Sequence, residues 1–403
     1  MRVETCIRRG LGLKAHRVAK VFEEDGRLVA EIERCAGRRL RCGKCGGKAE
    51  QARERRRAPR DWRDLAVRDQ PLVLRYAPFE VRCRRCGVRT ERVPWAGPWQ
   101  RVTHGLALAV ATLARQLSWA QTARHFGLDW KTVASIVRRA VERGLALRRW
   151  KPLHAIGIDE VSRAKGQRYL TLVYDLERRR LVWIGEGREG STMQAFFAWL
   201  GRRRGRSIRV VCCDMWAVYL EAVRQHLAHA KIVFDRFHVV QHLNRAVDEV
   251  RREAWRRLSG PDKSAFKKTR WLWLKNPWNL RDDESRRLSA LCRRNLPIVR
   301  AYYLKEAFQC FWDYLSEGWA RPYLTWWLRW AARSRLAPFV RFARMIRNHL
   351  DGILAWTKLR VANGALEGMN NKVKVVSHRA YGFRKVDTYI TAIWHGCGDL
   401  PLS

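Results

Sequence analysis

Acidic residues are scarce in this sequence, and this shortage indicates which class of molecule the protein binds. Asp and Glu total 38 against 82 Lys and Arg in 403 residues, which gives a formal net charge of +44 at pH 7. Arginine-rich codon usage accounts for part of this excess but not for the missing acids. Because the charge is spread along the whole chain, we expect a polyanionic partner, and an enzyme of small metabolites is disfavoured.

Long apolar segments are missing too. The longest charge-free apolar stretch, from His104 to Ala114, is about half of what a bilayer span needs. No apolar region follows the start of the chain as in a secretory signal, so we expect a cytoplasmic protein without membrane contact. In residues 1–40 a single strand-like run is predicted, from Arg27 to Ile32.

Disulfides are not expected, because the 11 cysteines belong to a chain predicted to be intracellular. Cys42 with Cys45 and Cys83 with Cys86 form two CxxCG knuckles. Four thiolates can surround one structural Zn²⁺, and the glycine after each pair permits a tight turn. The spacing predicts a zinc ribbon, the alternative being four unlinked thiols. The loop between the knuckles, predicted either to contact a phosphate backbone or to be merely solvated, contains Arg55, Arg56 and Arg57.

Residues 119–138 have the pattern of a DNA-reading helix-turn-helix. Ala123 is small where two helices must approach, and Gly127 lies at the turn, where a positive φ is needed. An ordinary helical hairpin gives the same pattern, but its place behind a zinc ribbon favours DNA binding. The inward face of the second helix is predicted to carry Leu128, Val133 and Ile136. Its outward face, predicted to reach base edges and phosphates, carries Trp130, Lys131, Thr132, Ser135, Arg138 and Arg139.

The sequence pattern changes after residue 150, where predicted apolar strands alternate with short turns and helices. Strands are predicted at 154–159, 168–174, 181–186, 208–213 and 231–234. Three antiparallel strands, a helix and a further strand indicate the ribonuclease-H-like order, in which the first and fourth strands lie side by side. Since Asp159 and Asp214 end these two strands, their carboxylates are predicted to converge.

Converging carboxylates in a basic protein indicate Mg²⁺ or Mn²⁺, which prefer hard oxygen ligands. Two such ions can activate the attacking oxygen and stabilise the leaving oxygen in phosphodiester chemistry. Glu367, between turn formers and an amide-rich segment, is a candidate third ligand, although a single acid at a strand end is often only a turn residue. The phosphate-seeking side chains that follow it are Asn371, Lys372 and Lys374.

Two further residues follow the fifth strand. Asp235 is either a fourth carboxylate near the site or the cap of a helix that begins near Val239. His238 either contacts the scissile phosphate, orients an acid, or is structural. We favour a mainly structural Asp235 and an accessory His238.

Four segments, GIDE, VVCCDMW, FDRFHVVQHLNRAVDEVRR and NGALEGMNNKVK, resemble those of DDE transposases of bacterial insertion sequences. The resemblance is strongest to the branch with a zinc ribbon and a helix-turn-helix before the catalytic domain, and it runs from about Cys42 to Trp394. It carries the family's acids over as Asp159, Asp214 and Glu367, and it matches the four knuckle cysteines. It implies an α/β, ribonuclease-H-like catalytic domain with a helical insertion.

The implied domains follow one another along the chain. They are an N-terminal lead and zinc ribbon at 1–98, a helix-turn-helix domain at 99–150, the first part of the catalytic domain at 151–244, the helical insertion at 245–350, and the second part at 351–403. The implied partners are double-stranded DNA, as terminal inverted repeats and target, and at least one further copy of the chain. A nucleoid-associated location follows.

The implied activity is DNA transposition. Such a protein binds the terminal inverted repeats, cleaves DNA and joins the 3′ ends to target DNA by two-metal phosphodiester transfer. A DNA-binding regulator derived from a transposase is the main alternative, and the three intact acids argue against it. A structure-selective nuclease on the same fold is disfavoured by the N-terminal DNA-reading modules.

Overall fold

A computed structural model describes residues 3–13, 15–37, 40–49, 51–164, 166, 168–294, 296–359 and 363–402. The chain divides into two compact units. The N-terminal unit comprises Met1–Arg148 with the short segments Arg379–Phe383 and Leu400–Ser403, and the C-terminal unit comprises Arg149–His378 and Arg384–Asp399. In the described ranges, no helix is both long and apolar enough to cross a membrane.

The N-terminal unit begins with a helix and two small sheets. Their elements are α1 (Val3–Gly10), β1 (His16–Glu24), β2 (Arg27–Arg34), β3 (Gln51–Arg56), β4 (Arg60–Arg63), β5 (Leu72–Tyr76), β6 (Phe79–Cys83) and β7 (Gly87–Thr90). One sheet has the order β1-β2-β5-β4 and the other has the order β3-β6-β7. The lead therefore contributes two strands, not one, and pairs in parallel with a strand from between the knuckles. Trp62, Leu74 and Trp95 are buried in the core of the four-stranded sheet.

Three helices complete this unit. They are α2 (His104–Leu113), α3 (Trp119–Phe126) and α4 (Trp130–Leu147). The Ser118 hydroxyl accepts from the backbone N–H of Gln121, whose side chain accepts from the backbone N–H of Ser118, so α3 begins with a capping box. Gly127 ends α3 with a φ of 58°, as the turn requires, and Asp129 caps α4.

A five-stranded sheet forms the base of the C-terminal unit. Its strands are β8 (Ala155–Ala164), β9 (Arg168–Asp175), β10 (Arg180–Glu186), β11 (Val210–Cys213) and β12 (Lys231–Phe234). The order is β10-β9-β8-β11-β12, with β8 antiparallel to β9 and parallel to β11. The first and fourth strands are therefore neighbours, as the sequence predicts. Two helices flank the fourth strand, α5 (Gly190–Gly205) and α6 (Ala217–His226).

The remainder of this unit is helical. The helices are α7 (Arg236–Arg257), α8 (Gly260–Ala265), α9 (Arg270–Leu274), α10 (Asp282–Cys292), α11 (Pro297–Cys310), α12 (Glu317–Arg333), α13 (Ala337–Asn348), α14 (Leu350–Leu359), α15 (Asn363–Arg379) and α16 (Val386–Cys397). Short 3₁₀ turns lie at Pro277–Asn279 and Phe311–Asp313. Trp273, Trp312 and Trp327 are buried in a core that continues into the sheet.

Candidate functional site

The two predicted aspartates lie on neighbouring strands, Asp214 just after β11 and Asp159 in the middle of β8, which continues to Ala164 and does not end at Asp159 as the sequence predicts. Val210, Val211 and Cys212 of β11 pair with residues 155–157 of β8, and the same register brings Asp214 level with Asp159. Each carboxylate accepts the backbone N–H of the next residue, at 2.7 Å for Asp159 and 2.6 Å for Asp214. These bonds fix both side chains where the parallel pairing of β8 with β11 ends, and α/β sheets commonly bind ligands at the carboxyl ends of parallel strands.

Burial and like charge act together at this corner of the sheet. Burial raises the pKa of Asp159, and the charge of Asp214 acts in the same direction. Burial also raises the pKa of Asp235 to about 6, with contributions from both of these aspartates. Nδ1 of His238 lies 3.7 Å from a carboxylate oxygen of Asp214. Three acids and one histidine therefore share this corner.

Asp235 also has the structural role that the sequence analysis favours. Its Oδ1 accepts the backbone N–H of Phe237 at 2.9 Å, so it caps α7, which begins at Arg236, three residues earlier than expected. The side chain of Asp235 is 5% exposed. His238 is half-buried on the first turn of α7 and faces Asp214.

The helix that carries Glu367 approaches the same strand. Leu366 packs against Gly157 of β8, where the side chain of any other residue would clash. Asn370 donates a hydrogen bond to Asp159, and its own carbonyl oxygen accepts from the Tyr174 hydroxyl at 2.9 Å. Because Glu367 precedes Asn370 by three positions, both lie on neighbouring parts of the helix surface.

Glu367 itself is exposed, and it does not form a group with Asp159 and Asp214 in which all ligand atoms lie within 4.8 Å of one another. In the part of the chain that the structure describes, only the four knuckle cysteines bring three or more potential metal ligands within 4.8 Å of one another. The predicted phosphate-contacting residues on the same helix, all exposed, are Asn371, Lys372 and Lys374. The contact of Asn370 with Asp159 is not among the sequence predictions, although the amide-rich run after Glu367 contained its signal.

A second unpredicted group surrounds Glu160, the residue after Asp159. The guanidinium of Arg188 lies between the rings of Tyr169 and Trp216, 4.3 and 4.5 Å from their centroids. It contacts Glu160 at 3.3 Å, and the Tyr219 hydroxyl donates to the same carboxylate, also at 3.3 Å. Since successive side chains of a strand point to opposite faces, this arginine is held against Glu160 and not against Asp159.

The knuckle cysteines form the expected cluster. The sulfurs of Cys42, Cys45, Cys83 and Cys86 all lie within 4.8 Å of one another. The glycines that follow the two pairs both have a φ of 70°, which confirms the predicted tight turns. A hydrogen bond from the backbone of Gly47 lowers the pKa of Cys45 to about 7, whereas burial raises the pKa of Cys86 to about 11. Four thiolates in this arrangement are compatible with tetrahedral zinc.

The arginines between the knuckles differ from the expected loop. Arg55 and Arg56 belong to strand β3, and the side chain of Arg55 lies outside the described residues. The Arg56 guanidinium covers the Phe79 ring at 4.6 Å, and Arg57 pairs with Glu80 at 2.7 Å. Arg56 and Arg57 are exposed and engaged within the ribbon at the same time.

The helix-turn-helix has the faces that the sequence predicts. Ala123, Val133 and Ile136 are buried, whereas Leu128 is half-buried and lies in the turn before α4, not on the inward face of that helix as predicted. Val137 is also buried, which the sequence analysis does not predict. On the outward face Thr132 is half-buried, and the exposed residues are Trp130, Lys131, Ser135, Arg138 and Arg139. A cleft of about 580 Å³ adjoins this face, bordered by the nearly fully exposed Trp99.

Comparisons with known proteins agree with both parts of this picture. A family model described as a transposase, of the ISL3 type, matches residues 156–393, and a helix-turn-helix domain of transposase family ISL3 matches residues 91–141. The transposase for insertion sequence element IS1001 of Bordetella parapertussis is 32% identical over 375 residues, which cover 92% of each chain. The transposase for IS1557 of Mycobacterium tuberculosis is 30% identical over 398 residues, 92% of this chain and 89% of that protein.

Proposed function

This chain belongs to the ISL3 family of insertion-sequence transposases, and from that membership we propose that Asp159, Asp214 and Glu367 are the acids with which it cuts and joins DNA. The observation that carries the proposal is the parallel pairing of β8 with β11, which brings Asp159 and Asp214 together. The contact of Asn370 with Asp159 supports the choice of Glu367, because it directs this part of α15 toward the same corner.

The catalytic fold that we assign is ribonuclease-H-like. Its support is the sheet order β10-β9-β8-β11-β12, with three antiparallel strands followed by two parallel ones. We assign residues 151–244 and 351–403 to this fold and 245–350 to a helical insertion. Residues 1–98 would then be the lead and zinc ribbon, and residues 99–150 the helix-turn-helix domain.

Mg²⁺ or Mn²⁺ fits the donor chemistry of the acidic corner. Oxygen ligands suit these ions, and adjacent carboxylates repel each other unless a cation lies between them. When bound, two such ions supply a Lewis acid and an activated water for phosphodiester cleavage. Asp159 and Asp214 would hold them from the sheet and Glu367 from α15. Asn370 orients the Asp159 carboxylate, and His238 would act on Asp214, from whose carboxylate it lies 3.7 Å. Asp235 would add a third carboxylate at the corner.

DNA recognition is assigned to the N-terminal unit. The exposed side chains of α4 would read the terminal inverted repeats, and the zinc ribbon would contact the backbone beside them. Arg55, Arg56 and Arg57 belong to this ribbon, and Asn371, Lys372 and Lys374 would contact phosphates near the acids. Since one element has two ends, we infer an active assembly of at least two copies.

Strand cleavage tests the acids directly. Asp214→Asn keeps the shape of the side chain and removes a charge that would hold the metal. We expect cleavage to fall by at least about a thousandfold, with binding to the terminal repeats retained. Asp159→Asn and Glu367→Gln should behave alike, and Glu221→Gln, which changes an exposed acid of α6, is the matched control. The measurement is Mg²⁺-dependent cleavage of a labelled element end, beside a binding assay in Ca²⁺.

Two outcomes contradict parts of this proposal. A Glu367→Gln protein that cuts at the parent rate excludes Glu367, and Asp235 then becomes the acid to test. A parent protein that binds the ends but does not cleave them with Mg²⁺ or Mn²⁺ favours the DNA-binding regulator.

A further inference from the structure

Helix α12 carries a row of aromatic rings on its exposed side. The row consists of Tyr314, just before the helix, followed by Tyr323, Trp326 and Trp330. Successive ring centroids lie 5.0, 5.5 and 5.5 Å apart. Trp326 is 51% exposed and Trp330 is 36% exposed. The row is thus a continuous ring surface in contact with solvent.

These exposed tryptophans are not part of the helical core. Trp327 on the same helix is fully buried, and its indole N–H donates to the carbonyl of Leu304 at 2.9 Å. Trp312 is buried as well. Trp327 therefore packs α12 against the core, and Trp326 and Trp330 are free to contact a ligand. Large rings on a surface are typical of binding sites.

A shallow, open depression on the surface of α12 adjoins the row. Trp326, Arg329 and Arg321 border it, together with Gly318 and Pro322. Because proline has no N–H, Pro322 cannot donate to the carbonyl of Gly318. The depression thus combines a ring face, the guanidinium of Arg329 and a carbonyl acceptor.

The charge of the α12 surface indicates which kind of ligand it binds. Residues 315–335 contain four arginines and a single acid, Glu317. Arg321 pairs with Glu317 and with Asp351, each at 3.0 Å, so the positive charge offered to a ligand is that of Arg329, Arg333 and Arg335. A second copy of this chain, at +44, would bring a like-charged surface to the row. A nucleic-acid strand brings phosphates for the arginines and flat bases for the rings.

We propose that the aromatic row of α12 binds unpaired DNA bases, with Trp326 and Trp330 stacking on successive bases and Arg329 contacting a phosphate between them. The proposal rests on the proposed function in one respect, since a protein that cuts and joins DNA meets single-stranded ends. The binding itself requires no catalysis and can be measured alone.

The test compares two strands that have the same phosphates. The full-length protein is titrated into a labelled 20-nucleotide thymidine strand and into an abasic strand of equal length. The ratio of the two affinities isolates the contribution of the bases from that of the charge. We expect the parent to prefer the base-bearing strand and Trp326→Ala/Trp330→Ala to reduce this ratio about tenfold or more.

Three controls sharpen the result. Trp326→Phe/Trp330→Phe should keep most of the preference, because phenyl rings also stack. Trp278→Ala removes a tryptophan that is 74% exposed but lies outside the row, and should leave the ratio unchanged. Melting temperature and zinc content check that each variant is folded.

An unchanged ratio in a folded double-alanine variant overturns the proposal. So does an unchanged ratio with a loss of self-association in sedimentation, which would identify the row as an interface between copies. The proposal about the catalytic acids is tested independently. Asp214→Asn should leave the ratio of the two strand affinities unchanged, whether or not cleavage is lost.

Discussion

A buried histidine makes the stability of the N-terminal sheet depend on pH. His16 is 4% exposed and meets the rings of Tyr76 and Trp95 edge-on, with centroids 5.3 and 5.1 Å away. Within the described ranges neither of its ring nitrogens has a hydrogen-bond partner. Burial, assisted by the charge of Arg34, lowers the pKa of His16 from 6.5 to about 4. The folded protein therefore favours the neutral form of the His16 ring.

The pH dependence follows from this lowered pKa. Between pH 6.5 and about 4 the unfolded chain binds a proton at His16 that the folded chain does not. The stability associated with the neutral ring is complete above pH 6.5 and is lost as the pH falls toward 4. His16→Phe should raise the melting temperature at pH 7.5. At pH 5 its free energy of unfolding should exceed that of the parent by about 2 kcal/mol more than at pH 7.5. An advantage that stays constant with pH would contradict this account.

Asn370 offers a test of how Asp159 is held. Asn370→Ala removes the amide that donates to Asp159 and accepts from Tyr174. Because partners of metal ligands tune affinity, we expect the Mg²⁺ concentration for half-maximal cleavage to rise about 10- to 100-fold, with partial rescue at high Mg²⁺. The adjacent exposed amide provides the control, since Asn371→Ala should weaken DNA binding and leave the Mg²⁺ requirement alone. Identical Mg²⁺ curves for Asn370→Ala and the parent would show that the contact has no such role.

At the scale of elements, local patterns and long-range pairing were predictable to different degrees. The apolar runs of β8 to β12 and the turn at Gly127 have clear local signals, and the structure contains both. Strand β1 was missed although its hairpin has a local signal. Asp25 and Gly26, both with positive φ, form the two-residue turn to β2. Charged residues interrupt its apolar pattern at Arg17, Lys20 and Glu23. The pairing of β2 with β5, 44 positions away, is specified by no local pattern.

The candidate site shows the same limit. The adjacency of Asp159 and Asp214 follows from strand order, so the sequence alone could predict it. The contact between Asn370 and Asp159 depends on how α15 packs on β8, where Gly157 admits Leu366. Packing of a helix on a strand more than 200 positions away leaves no spacing signal.

The predicted zinc ribbon around the four-cysteine cluster can be tested as an element. Cys83→Ser removes a buried ligand, so zinc content should fall from about one ion per chain to near zero. Without the metal, the small sheet β3-β6-β7 has little apolar core, and end binding should weaken at least about tenfold. Cys35→Ser, outside the cluster, should change neither value. Full zinc content measured in Cys83→Ser by atomic absorption would refute the assignment.

For the whole molecule, the net charge of +44 makes DNA affinity a function of salt. If about six to ten phosphates are contacted, affinity should fall about 10³- to 10⁵-fold between 50 and 200 mM salt. Lys131→Gln should reduce the slope of log affinity against log salt by about 0.9, because one phosphate contact is lost. Fluorescence anisotropy over a salt series measures both. A slope shallower than about −3 would mean that only about three phosphates or fewer are contacted, and would contradict this expectation.

The long helical stretch between β12 and α15 has a consequence for timing during synthesis. Asp214 and Glu367 are separated by 153 positions, so a ribosome adding about 5–20 residues per second needs roughly 8–30 s to travel from one to the other. Throughout that interval the nascent chain already carries its DNA-reading modules but lacks the last proposed acid. Truncated products of translation would therefore occupy element ends without cutting them, and would act as dominant inhibitors of the complete protein.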